Sequence, residues 1–233
     1  MQLVAYGAQD IYLTGNPQIS FFKIIYRRHT NFSMESIQQT WNGIAVATAS
    51  RVSATISRNG DLVHRLYLET DELDTTNTTA LNPGSSLIDN VEVEIGGQSI
   101  DKHYGHWMET WAELTEPNTV GTTRNSSNKD GTIFQTMSGM GGVTAGSVGK
   151  VFIPLQFWFC RNPGLALPLI ALQYHEVNII LQTRTVDTVT NLQLWADYIY
   201  LDTDERRRFA QVSHEYLIEQ VQHETATLTH GGT

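Results

Sequence analysis

The chain has 233 residues, 40% of them hydrophobic and only 17% charged, with a formal net charge of −9. That length suits one large all-β domain or two small ones, with enough apolar sequence for a substantial core. The acidic balance argues against the basic stripe of a general nucleic-acid binder, and the surplus of Ser, Thr, Asn, Gln and Gly favours strands and loops over helix surfaces.

In chain order, the first segment is GAQDIYLTGNPQISFFKIIYRRHTNF, Gly7 to Phe32. It is too polar for a signal peptide and too apolar for a solvated tail. Ile11, Leu13, Ile19, Phe21, Phe22, Ile24 and Ile25 are spaced too irregularly for one strand, so they need a surface to bury against, on this chain or on a neighbouring copy. PQISFFKIIY could form a short helical turn.

Period-two alternation then takes over. Ile37, Gln39 and Trp41 share one face of a strand, and Val52, Ala54 and Ile56 one face of the next. Asn59-Gly60 reads as a two-residue hairpin into DLVHRLYLE, with Leu62, His64, Leu66 and Leu68 on one side. In NVEVEIGGQSI, Val91, Val93 and Ile95 oppose Glu92 and Glu94 before a Gly96-Gly97 turn. Later strands are KVFIPLQFWF, YHEVNIILQTRT and NLQLWADYIYLD, with Pro154 and Pro168 marking edges, ends or bulges. The clearest helix is HYGHWMETWAELT, His103 to Thr115, and DERRRFAQ offers a second short one. Two polar excursions, 71–86 and 116–149, are long enough to be functional loops. Eight or nine strands with long excursions predict an all-β, antiparallel eight-stranded jelly-roll sandwich with long loops and one or two short helices. The Cys…Trp…Cys pattern of an immunoglobulin-type sandwich is missing.

Candidate chemistry is sparse. Cys160, the single cysteine, lies in an apolar run and reads as a packing thiol. His103, His106 and Glu109 could be imagined as metal ligands, but on a helix and without a third ligand strand. His175 and Glu176 are strand neighbours that face opposite sides, and His64 reads as a hydrogen-bonded core histidine. Asp202, Asp204 and Glu205 beside Arg206, Arg207 and Arg208 read as local salt bridging. No nucleophile elbow, phosphate loop or dinucleotide fingerprint occurs. Sequons occur at Asn31, Asn77 and Asn125, and the loops that hold the last two read as exposed. No catalytic, cofactor-binding or metal residue is assigned, and no secretory signal or run of about 18 apolar residues is seen.

Three segments carry a family resemblance: LVAYGAQDIYLTGNPQISFFKIIYRRHTNFS at the start, NPGLALPLIALQYHEVNIILQ at Asn162–Gln182 and LWADYIYLDTDERRRFAQVSHEYLIEQVQ at Leu194–Gln222. In that order they resemble the double jelly-roll major capsid proteins of large eukaryotic (nucleocytoplasmic) DNA viruses. The resemblance implies a non-enzymatic structural protein, without cofactors, that forms trimeric pseudo-hexameric capsomers of an icosahedral virion. It implies other copies and minor capsid proteins as partners, no specific nucleic acid, no membrane insertion, and apposition to an internal viral membrane. It divides the chain into an arm (1–32), the first jelly roll (33–202) and an exit segment (203–233) leading toward a second jelly roll. The family's full chain is about twice as long, so a fragment is expected over a single-barrel protein. The arm and the segment Asp202–Gln222 are then assembly elements, and the loops 71–86 and 116–149 the outer tower or subunit contacts. Two rival readings are a carbohydrate-binding jelly roll stacking sugar on Tyr104 or Trp107, and a cupin-like metalloenzyme.

Overall fold

The computed structural model describes residues 8, 29–44, 49–74, 82–117, 131–143, 149–186 and 188–226. The arm 1–32 lies outside them apart from Ala8 and residues 29–32, as do Asn77 and Asn125. Every element below belongs to the unit Phe32–Thr233.

Eight principal strands carry the fold: β1 (Phe32–Gln39), β3 (Arg51–Thr55), β4 (Leu62–Thr70), β6 (Ile88–Ile95), β7 (Gln98–Tyr104), β8 (Val151–Pro154), β10 (Val177–Thr183) and β12 (Gln193–Leu201). Shorter pieces are β2 (Trp41–Asn42), β5 (Glu72–Asp74), β9 (Leu167–Pro168) and β11 (Thr188–Thr190). One sheet runs β1-β12-β4-β8 with β9 beside β4, and the other β2-β3-β10-β6-β7; β5 and β11 form a small ribbon. Among the eight, first pairs with last, second with seventh, third with sixth and fourth with fifth, all antiparallel. That nesting is a long antiparallel ribbon rolled on itself, a jelly-roll-like sandwich of two antiparallel sheets.

The core fills the space between the sheets. Val52 and Ala54 of β3, Leu66 and Leu68 of β4, Val91 and Val93 of β6, Ile179 and Leu181 of β10, and Leu194 and Ala196 of β12 all bury there. These are the alternate positions that the period-two pattern selects. The Gly96-Gly97 hairpin forms as expected: both residues have positive φ (59° and 82°), and Ile95 pairs with Gln98.

Several expectations are corrected. Asn59-Gly60 is not a hairpin, because β3 and β4 lie in different sheets and this connection crosses between them. Gly60 serves instead to let the chain approach Tyr198, where an added Cβ would come within 2.8 Å of the tyrosine's own Cβ. The face Leu62-His64-Leu66-Leu68 is broken by a bulge: Leu66 pairs with Ala196 but Val63 with Tyr198, so two β4 residues oppose one on β12. Leu62 is thereby turned away from the main core, into a small cluster with Ala166 and Ile199. The strand through Trp41 switches sheets at Thr40. KVFIPLQFWF is a strand only to Pro154; its end enters a short helix.

Helix is also more abundant than one or two short pieces. Five helices are described: α1 (Pro83–Leu87), α2 (Gly105–Thr115), α3 (Ile133–Ser138), α4 (Trp158–Arg161) and α5 (Thr203–Gln211), with a 3₁₀ turn at Pro163–Leu165. Both excursions thus carry regular structure, β5 and α1 in the first and α3 in the second.

Candidate assembly surface

Antiparallel alternation sends the chain to the two ends of the sandwich in turn. The β4–β6 and β7–β8 connections share one end, which therefore carries both long excursions; β3–β4, β6–β7 and β8–β10 close the other.

At the long-loop end a polar network locks the described parts of both excursions together. Asn82, at φ 58°, accepts through Oδ1 from Gly142 N at 2.9 Å and Val143 N at 2.5 Å. Glu109 of α2 accepts from Gly141 N at 2.8 Å and from the Ser85 hydroxyl at 2.9 Å. Burial pushes the Glu109 carboxyl above the usual carboxylate range, against the opposing pull of those two donors. Thr132 and Gln135 form a capping box at the start of α3, and Gln135 donates to Gly141 O. The SGMGG stretch is therefore a fixed turn under α1, with Met140 and Val143 buried.

Beside it, on the outer face of the β1-β12-β4-β8 sheet, is a groove of about 640 Å³. Tyr67, Phe152 and Pro154 form its floor, Trp111, Phe134 and Met137 its helical wall, and Arg65 and Asp197 its polar edge. Tyr67 stacks on Trp195 of the neighbouring strand at 6.4 Å and tilts against Phe152 at 6.2 Å. Exposed apolar side chains surround this part of the molecule on α2 and α3: Leu114 at 80% and Ile133 at 79%. Phe32 and Met34 are exposed on the outer side of β1. Exposed apolar patches mark contact surfaces or ligand grooves.

The residues weighed for chemistry are placed in structural roles. His103, on β7 rather than on the helix, is fully buried between Trp107 (4.1 Å) and Phe157 (4.6 Å), and its Nε2 lies 2.7 Å from Asp101. His106 is exposed and Glu109 is occupied by the turn. No group of three or more His, Cys, Asp or Glu able to hold a metal occurs among the described residues. His64 contacts Phe159 O through Nδ1 at 2.9 Å inside the core. Burial pushes the Cys160 thiol up to about 12, which makes it inert. Tyr104 and Trp107 are both engaged already, by His223 at 4.0 Å and by His103. His175 and Glu176 lie exposed in the turn before β10. Asp202 caps α5 by accepting from Thr203 N, Arg206 pairs with Asp61 at 3.0 Å, and Arg208 faces Glu205 at 3.8 Å.

Sequence reasoning missed the pinning roles of Asn82, Glu109 and Asp101. Asn82-Pro83 was a local turn signal; nothing local distinguished the other two, whose pinned backbone amides, Gly141 and Val221, lie 32 and 120 positions away.

The family model for the major capsid protein N-terminus matches residues 20–202. The chain is 57% identical over 233 residues to the major capsid protein of Pyramimonas orientalis virus, covering 95% of this chain and 58% of that one. It is 46% identical over 245 residues to the major capsid protein of Paramecium bursaria Chlorella virus 1, covering 97% and 54%. Among solved structures it resembles a chain of the PBCV-1 virus capsid quasi-atomic model, with 41% identity and a TM-score of 0.70 over 87% of this chain and 50% of that one. The Faustovirus major capsid protein, 12% identical with a TM-score of 0.52, shares the fold alone. The chain spans about half the length of the curated relatives it matches. A match reaching from the residues before β1 to the end of β12, on strands paired in the nested order, makes this chain a member of the major capsid protein family, within its N-terminal part.

Proposed function

We propose that the chain is a shell-building module: a rigid jelly roll that assembles with other copies into trimeric pseudo-hexameric capsomers of an icosahedral virion, without catalysing a reaction. The observation that carries this reading is the 41% identity, at a TM-score of 0.70, to a chain of a virus capsid. Within it, residues 1–32 act as an arm, 33–202 as the jelly roll and 203–233 as an exit segment. The groove beside Trp111, Phe134 and Phe152 is a candidate for burial between subunits, since obligate interfaces resemble a core cut in half. Minor capsid proteins are further partners, and the virion is the place of action.

Light scattering across a dilution series tests the assembly. Concentration-dependent association approaching three copies is expected. A chain that stays monomeric at every concentration would overturn assembly by this chain on its own.

A further inference from the structure

After α5 the chain does not leave the sandwich. Val212 to Ala226 carries no helix or strand, and from Glu219 to His223 it lies along β7, the edge strand of its sheet. Four contacts fasten it. The Glu219 carboxylate accepts from Arg161 at 2.6 Å, and that guanidinium also lies over the Trp111 ring at 4.4 Å. Gln220 Nε2 donates to Ile100 O, and Val221 N donates to Asp101 Oδ1 at 3.0 Å. His223 stacks on Tyr104 at 4.0 Å. Residues 220, 221 and 223 thus meet 100, 101 and 104 in order, so the segment covers an edge that would otherwise offer unpaired backbone.

We propose that Val212–Ala226 is an acid-releasable strap, held along β7 at neutral pH and let go as His106 takes up its proton beside the His223 ring. The geometry puts these imidazoles 5.1 Å apart, one on the strap and one on α2. The other charged groups near the pair are two cations, Lys102 and Arg184, and two carboxylates, Asp89 and Asp101, each of which is shared. Lys102 of β7 lies 5.6 Å from the Tyr104 ring, and Arg184 acts on His106. Asp89, which also acts on His106, is shared with Arg184 at 3.2 Å. Asp101, the acceptor for Val221, is itself paired with the buried His103.

Although much of the His106 ring is exposed, partial desolvation, then the charge of His223 and of Arg184, hold its pKa below the ordinary value, with Asp89 opposing. A histidine whose pKa is lower in the strapped form than in the released form favours the strap at high pH. That advantage is lost as pH falls through the ordinary histidine range. Two charges about 5 Å apart at a surface correspond to a roughly fivefold shift in the strap equilibrium.

The test is amide hydrogen exchange of the whole chain, read by NMR at pH 7.5 and 5.5 and corrected for the intrinsic rate. The protection of Val221 should fall about fivefold on acidification while Ile179, in the core strand β10, keeps its own. In His223→Phe, which keeps a ring on Tyr104 but removes the imidazole facing His106, Val221 protection should no longer respond to pH. His106→Gln gives the same result from the barrel side. Protection of Val221 that is flat with pH in the unmodified chain would overturn the proposal. So would an equal fall in both variants, or a fall shared with Ile179, which would report general acid unfolding.

Discussion

Glu109 offers the sharpest test of how the long-loop end is held. Truncation by Glu109→Ala removes the acceptor for Gly141 N, while the Ser85 hydroxyl keeps Asn82 O at 3.1 Å as an acceptor. A buried donor left without a partner costs about 1–3 kcal/mol, and the lost methylene adds somewhat less than 1 kcal/mol. Relief of the carboxylate's own desolvation offsets part of this, leaving a net loss of about 2 kcal/mol. For a chain of this size that corresponds to a Tm lower by about 4–8 °C. Glu109→Gln keeps an acceptor for Gly141, and Ser85 can reverse its hydroxyl to accept, so the loss should stay under about 1 kcal/mol.

The pH dependence separates the two variants further. The Glu109 carboxyl is raised in the folded state, so folding holds that proton more tightly than the unfolded chain does. Its contribution is fully present below the unfolded carboxylate pKa and is lost as pH rises through the higher folded value. The glutamine variant should lack that component of the fall, so the gap between it and the parent should narrow from pH 5 to pH 8. Differential scanning calorimetry at the two pH values measures both effects. An alanine variant melting within about 2 °C of the parent, or a glutamine variant as damaged as the alanine, would refute the anchoring argument.

Three further outcomes follow from the same packing. Gly105→Ala would place a methyl 2.3 Å from both the Ile88 and Ser85 carbonyl oxygens, so the start of α2 must shift; we expect a loss of about 3 kcal/mol or more in urea unfolding, and a loss under 1 kcal/mol would contradict the close approach. Tyr198→Phe removes a hydroxyl that donates to Ser57 O at 2.6 Å and meets Gln39 and Ser57 Oγ, and should cost about 1–2 kcal/mol with the m-value unchanged. Cys160, buried with its thiol pushed up to about 12, should resist iodoacetamide at pH 8 in the native chain and react readily in urea; rapid native labelling would place it at the surface.

What the sequence by itself determined was local. Alternation identified nearly every principal strand and its inward positions, because one buried face of a pleated strand imposes period two whatever lies opposite. Val52, Ala54, Leu66, Leu68, Val91 and Val93 all sit where that pattern puts them. Gly96-Gly97 formed its hairpin because two positive φ values are a demand met within the turn itself. Cys160 and His64 were legible as core residues from their apolar neighbours.

The tertiary structure decided whatever depended on distant partners. Asn59-Gly60 carries the same local signal as a hairpin, yet its flanking strands pair with β10 and β12, over a hundred positions away. The bulge opposite Asp197 turned Leu62 out of the face read from alternation, a shift that exists only in the register between two strands. Phe157, Trp158 and Phe159 are all buried, and continuous burial erases the periodicity that distinguishes helix from strand. Glu109 and Asp101 acquired their roles from a turn and a strap that fold back onto them. A carboxylate's chemistry follows from the donors around it, and here those donors come from chain that is near only after folding.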